Sequence, residues 1–275
     1  MKKLFLTSLF TLLLLTSAYS QVTIAPTNLF VDENSKFGTY MVINNSNENQ
    51  EISIDFIFSY SALNEDGERS IVENDTLRAQ DHSIADVIRA FPQNFILNPG
   101  QRQIVRLRVA APNDLPDGTY WARIKTSASP ESPPVELAQT ETVTANLGLI
   151  VEQVTGLYYK VGSVNTGISI NDISPRQTEN GSLEVVTNYQ RTGNSPFLGS
   201  VITTLMNAEG KVVQQGRTST TLYFDGTHKQ EINAADIEPG EYTIKVEFVT
   251  QRNDVPPEDL VQMQPASQTI TYAIR

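Results

Sequence analysis

Three features of this 275-residue chain predict an all-β protein built from two immunoglobulin-like β-sandwich domains. Residues 91–124 hold a short apolar strand, the turn Pro99-Gly100, an alternating strand pinned by Ile104, Leu107 and Val109, and a turn running into Tyr120-Trp121-Ala122-Arg123-Ile124. Apolar residues at a period of two between Pro/Gly turns are the pattern of half-buried antiparallel strands, not of helices. Leu115-Pro116-Asp117-Gly118-Thr119-Tyr120 then places a Tyr just past a turn, where its hydroxyl can reach back to upstream backbone. That is the corner device of immunoglobulin-like sandwiches. The same arrangement recurs as Ile237-Glu238-Pro239-Gly240-Glu241-Tyr242, 122 positions later. Two corners predict two sandwiches, placed at 21–154 and 155–275 behind a leader at 1–20.

The leader is read from Lys2-Lys3, the apolar run 4–15, and Ala18 and Ser20 at −3 and −1 of a cut before Gln21. Its apolar run is shorter than the roughly 20 residues that span a bilayer. Cleavage, export and a mature protein without membrane insertion are therefore expected. The longest later apolar run is 147–151, interrupted by Gly148. Formal charge is −11, and −13 once Lys2 and Lys3 leave with the leader. Phosphate backbones are held by Lys and Arg, so nucleic acid is not an expected partner. The chain has no cysteine, so an exported form must be held by core burial rather than by disulfides, and it cannot carry a thioether-linked lipid.

In chain order, Val22, Ile24, Leu29, Phe30 and Val31 predict a first strand interrupted by Pro26, which removes a ladder donor. Residues 37–43 predict a second strand, and Ile52, Ile54, Phe56 and Phe58 a third. Residues 64–83 are polar, and Glu65-Asp66-Gly67-Glu68 reads as a solvated hairpin turn, lacking the spaced oxygen ligands of a calcium loop. Residues 83–89 are expected to cross in a short helical or irregular segment. Val135, Leu137, Val143, Ala145, Leu147, Leu149 and Val151 then share one face, and a strand over 143–151 is expected to close the first domain. Residues 155–162 are expected to open the second, followed by strands at 168–173, 183–190, 197–206, 211–214, 219–224, 229–232, 242–250 and 269–274. Asn207-Ala208-Glu209-Gly210 reads as a hairpin turn and 252–265 as a mobile loop.

Catalytic chemistry finds little footing. The only histidines are His82 and His228, and there is no thiol. Asp81-His82-Ser83 has the residue types of a hydrolase triad, but triad groups converge from separate elements rather than adjacent positions. His228 reads as part of a turn, Glu258-Asp259 as solvated loop, and no Gly-rich phosphate cradle precedes a helix. No enzyme activity, cofactor or metal is expected. Binding through loops or sheet edges remains. An open edge strand offers backbone donors and acceptors to a partner strand. Leu147, Leu149 and Val151 are expected to fill the domain's own core, leaving Val135 and Leu137 as candidates for exposure.

Val22-Thr23-Ile24-Ala25-Pro26-Thr27, Ile43-Asn44-Asn45, Phe91-Pro92 with Phe95 and Leu97, Pro99-Gly100-Gln101, Val105-Arg106-Leu107 and Leu115-Pro116 occur in this order. Together they resemble the first domain of periplasmic pilus-assembly chaperones over residues 22–151. Tyr189-Gln190-Arg191-Thr192-Gly193-Asn194-Ser195 followed by Gly199 is similar to the second domain of that family's divergent, archaic branch. The resemblance implies two sandwiches set at an angle, with the cleft between them holding a pilus or fimbrial subunit. It also implies donor-strand complementation through Val135, Leu137, Val143 and Ala145 in the periplasm, with an outer-membrane usher as a further partner. Where the family grips the subunit's terminal carboxylate with basic residues, this chain aligns Asn28 and Gly148. Arg106, Arg108, Arg123 and Lys125 are the nearby basic candidates for that contact. The competing expectation is a secreted two-sandwich adhesion or scaffold module that binds through loops.

Overall fold

A computed structural model describes residues 22–63, 69–131 and 149–275. The chain opens with β1 (Val22–Ala25) and β2 (Asn28–Asp32), separated at Pro26 as expected. The break moves the chain between layers, because β1 pairs with β3 (Phe37–Asn44) whereas β2 joins the opposite sheet. β4 (Gln50–Ile57) follows, then a hairpin of β5 (Ser59–Leu63) and β6 (Arg69–Glu73). Helix α1 (Thr76–His82) is N-capped by Asp75, whose carboxylate accepts the Arg78 N–H and the Tyr60 hydroxyl. A helix stands here because Leu77, Arg78, Ala79 and Gln80 are good helix formers behind a cap. The polar sequence of 64–83 predicts hairpin turn and loop there, with helical structure only from residue 83. A single 3₁₀ turn, Ala85–Val87, is what that later segment forms.

The stretch around Pro99-Gly100 contributes β7 (Ile88–Phe91), β8 (Asn94–Leu97) and β9 (Arg102–Val109). β8 and β9 do not pair with each other; β8 lies on β4 and β9 between β3 and β7, so the Pro-Gly turn carries the chain from one sheet to the other. β10 (Gly118–Pro130) and β11 (Val151–Val161) complete the first sandwich. Its sheets run β1-β3-β9-β7 and β2-β11-β10-β4-β8. Val42, Ile54, Val105, Leu107, Ile124 and Leu157 are among the core residues between them. The expected boundary at residue 155 is corrected here. Thr155 to Val161 pairs with β10 and β2, because Leu157, Tyr159 and Val161 alternate into the first core.

The second sandwich packs β12 (Thr166–Gln177), β13 (Ser182–Gly193) and β16 (Gly226–Asn233) against β14 (Phe197–Met206), β15 (Val212–Leu222), β17 (Gly240–Val249) and β18 (Ala266–Ile274). The separate strands expected at 211–214 and 219–224 are one strand, which runs through Gly216 in register with β14. Asn207 to Gly210 makes the expected hairpin turn, with Gly210 at φ 77° where a Cβ would be strained. Both tyrosine corners form. The Tyr120 hydroxyl donates to the Pro116 carbonyl at 3.0 Å and the Tyr242 hydroxyl to the Glu238 carbonyl at 2.8 Å.

A third apolar cluster joins the sandwiches: Tyr60, Trp121, Tyr158, Leu198, Tyr223, Val255 and Leu260. Val255 and Leu260 belong to the 252–265 loop, which is therefore docked rather than mobile, and the Lys160 ammonium bonds the Asp259 carbonyl at 2.6 Å. From the other side, β5 and β6 lean onto the second sandwich, with Arg69 donating to Thr220 Oγ1 at 3.0 Å.

Candidate functional site

β11 is the strand whose two ends differ. Its C-terminal half is inner: Gly156 to Lys160 lie between β10 on one side and β2, in parallel register, on the other. Its N-terminal half, from Val151 to Thr155, pairs with β10, while the β2 ladder stops at Gly156. The Gln153 side chain reaches across that side to the Val22 carbonyl at 2.5 Å. Leu149, Ile150 and Val154 at this end are 65%, 63% and 52% exposed, far more than core burial of these residues would leave. Leu149 thus departs from the expectation that it fills the core. Val151 is half-buried, and the strand begins there rather than at 143. The expected donor residues Val135, Leu137, Val143 and Ala145, with Leu147 and Gly148, lie outside the described residues.

Beside Val154 opens a cleft of about 390 Å³ between the sandwiches, lined among others by Asn28, Arg69, Arg123, Tyr158, Thr220 and Arg252. Tyr158 lines it, and its hydroxyl lies 2.8 Å from that of Tyr223, buried behind it. Burial pushes the Tyr223 phenol well above its ordinary range. The three arginines are not equivalent. Arg252 is engaged by both Asp254 oxygens, at 2.8 and 2.6 Å, and by Thr220 and Thr221, and its hydrogen bond holds the Asp254 carboxyl low. Arg123 donates Nε to the Ser59 carbonyl at 3.3 Å and lies 5.5 Å from the Tyr223 ring centroid. Its terminal nitrogens contact no acceptor among the described residues, leaving a guanidinium fork that can bind an anion.

Of the basic residues proposed from sequence, Arg123 alone lines this cleft. Lys125 is paired with Glu152 at 2.9 Å on the outer face of the same sheet. Arg106 and Arg108 stand on the outward positions of β9, across the sandwich. The residue opposite Asn28 is Gly156, not Gly148, and a Cβ there would meet Asn28 Oδ1 at 2.9 Å. Asn28 itself reaches Asp254 at 3.5 Å. Sequence reasoning missed Arg69 and Arg252, which lie on a hairpin and a loop whose docking no local pattern announces.

The histidines have structural places. His82 ends α1 and stacks on Trp121 with ring centroids 4.8 Å apart, and burial lowers its pKa. His228 is not in a turn but on β16, 4% exposed, with Nε2 unpartnered among the described residues. Burial first, and Arg69 second, bring its pKa down to about 4. An unfolded His titrates near 6.5, so the unfolded chain binds the extra proton between those values. This part of the stability is present above pH 6.5 and is lost as pH falls toward 4, by about 3 kcal/mol at most. Urea titrations from pH 7 to 4 are expected to show this loss for the wild type and a flatter profile for His228→Gln. Among the described residues no cluster of His, Asp and Glu could hold a metal ion, and no helix is long and apolar enough to cross a membrane.

Fold and site thus define an all-β, two-sandwich protein with a half-covered edge strand running into an arginine-lined cleft. No protein-family model matches the chain, and no curated protein matches it. Pilus chaperones are prominent among the solved structures similar to it. The YadV chaperone is similar over 91% of this chain and 100% of that one, at 11% identity and a TM-score of 0.48. The class 5 fimbriae chaperone CfaA is similar over 90% and 98%, at 15% identity and 0.45. The CsuC–CsuE chaperone–subunit pre-assembly complex from Acinetobacter baumannii Csu pili is similar over 90% and 98%, at 12% and 0.43. The functional reading rests on the chain's own residues.

Proposed function

We propose that this chain is an exported, periplasmic, non-enzymatic chaperone that holds a pilus or fimbrial subunit by lending it an edge strand. The observation that carries the reading is β11. One half is locked between β10 and β2, and the other pairs with β10 alone, carries the exposed Val154 and is entered through exposed Leu149 and Ile150. In the preceding residues the same alternate positions carry Val135, Leu137, Val143 and Ala145, with Gln139 and Glu141 interrupting the apolar series between Leu137 and Val143. A subunit lacking a strand would add along this extension, main chain to main chain, with the alternate apolar side chains filling its groove. The rigid half of β11 fixes the direction in which the lending half is presented.

A strand added beside Val151 to Val154 would end at the interdomain cleft. Its terminal carboxylate would meet the Arg123 fork, with Arg69 nearby, in place of the basic pair that Asn28 and Gly156 do not supply. An outer-membrane usher would be the acceptor of the loaded complex. The test is isolation of the full chain from the cell that makes it. A stoichiometric, β-rich subunit that co-isolates, and is released by Arg123→Glu, supports the proposal. A consistently solitary chain sinks it.

A further inference from the structure

The outer face of the β1-β3-β9-β7 sheet carries a charge pattern at odds with the rest of the molecule. Its outward positions are Thr23 and Ala25 on β1, Phe37, Thr39, Met41 and Ile43 on β3, Arg102, Ile104, Arg106 and Arg108 on β9, and Arg89 and Phe91 on β7. No Asp or Glu stands among them, in a chain of formal charge −11. Register sets them in a grid: Phe37 beside Arg108 beside Arg89, Thr39 beside Arg106 beside Phe91, Met41 beside Ile104, and Ile43 beside Arg102. Neighbouring strands lie about 4.8 Å apart, so the cations and the apolar groups form one continuous patch. Phe37, Phe91 and Ile104 are each 59% exposed. None of the four arginines makes an ion pair among the described residues, and only Arg89 is tied down, to the Asp86 and Ile88 carbonyls.

We propose that this face docks a second protein, distinct from the β11 client, which presents carboxylates around an apolar centre. Composition separates a protein from a lipid surface. Arg, Phe and Met are enriched and Lys depleted at the centres of protein interfaces, and the face has four Arg and no Lys. Lipid-surface binders use Lys and Arg together on a separate polar face, whereas here cations and apolar groups alternate. A second copy of this chain is a poor occupant, because the other outer face of the sandwich mixes Glu51, Asp55 and Glu152 with Arg123 and Lys125. The acid-free face raises the encounter rate with a negative partner, and its apolar centre holds what the charges attract.

The test places a photo-reactive benzoylphenylalanine at Thr39, at the centre of the patch, and at Glu231 on the second sandwich as control, in the full chain inside the cell that makes it. The expected result is one discrete protein adduct at Thr39 only, whose cross-linked peptide is rich in Asp and Glu. Arg106→Glu with Arg108→Glu is expected to remove that adduct. It should also weaken the purified partner's binding on the order of tenfold or more, while capture of the β11 client is unchanged. The absence of an adduct, one that survives charge reversal, a peptide without carboxylates, a lipid adduct, or an adduct with a second copy of this chain would each overturn it. Loss of client capture with this patch intact would instead count against the edge-strand reading.

Discussion

If the chain lends a strand to a client, Leu137→Glu and Val143→Glu are each expected to abolish client capture while leaving the chain folded. A lent strand puts alternate side chains into the partner's apolar groove, and a carboxylate there is buried without a counter-charge. A penalty of about 3 kcal/mol corresponds to roughly a hundredfold in Kd. Val154→Glu, on the described part of the edge, should act in the same direction by a smaller amount, since Val154 adjoins the cleft and keeps access to water. The Val154 side chain is exposed and outside the core, so the urea midpoint of Val154→Glu should stay within about 0.5 kcal/mol of the wild type. Calorimetric titration with the purified subunit, beside urea unfolding of each variant, reads both quantities. Undiminished affinity in Leu137→Glu and Val143→Glu would end the donor-strand reading and favour a module that binds through loops.

What was legible in the sequence was whatever local chemistry dictates. Both corners were readable because a Tyr after a Pro/Gly turn makes its bond four residues upstream, to Pro116 and to Glu238. Most strands of the second sandwich were readable because burial alternates along them. The misreadings share one cause, which is tertiary contact without local signature. Thr155 to Val161 looked like a fresh start because Thr155 and Gly156 interrupt the apolar run, yet the register with Asn28 to Asp32 draws those residues into the first sheet. His228 looked like turn chemistry beside Asp225 and Gly226, but its neighbours across β13 bury it. The 252–265 loop has two prolines and looked mobile, while Val255 and Leu260 insert between the domains. Of the proposed basic contacts, Arg123 and Lys125 are two residues apart on one strand face and differ only in what lies opposite. One meets a cleft and the other a carboxylate.

The interdomain cluster yields the second large effect, because it makes the two sandwiches one mechanical unit. Tyr223→Ala is expected to cost about 3–5 kcal/mol through the cavity it leaves, with the orphaned Tyr158 hydroxyl contributing to that loss. The cost should fall on the joint and not on either core, since Tyr223 packs on Trp121 at 4.8 Å between ring centroids and on Tyr60 at 6.1 Å, both outside the two sandwich cores. The chain has one tryptophan, and it is Trp121, stacked between Phe58 and His82 in this cluster. Its emission therefore reports on the joint. In Tyr223→Ala it should shift to the red at denaturant concentrations where far-ultraviolet dichroism still shows native sheet, whereas in the wild type the two signals should change together. Tyr223→Phe, which keeps the ring and loses only the hydroxyl pair, should fall between them at about 1–3 kcal/mol. Coincident transitions in Tyr223→Ala would mean that the sandwiches unfold as one for reasons outside this cluster. Separated transitions would show that the cleft beside β11 keeps its shape because seven aromatic and aliphatic side chains hold the domains against each other.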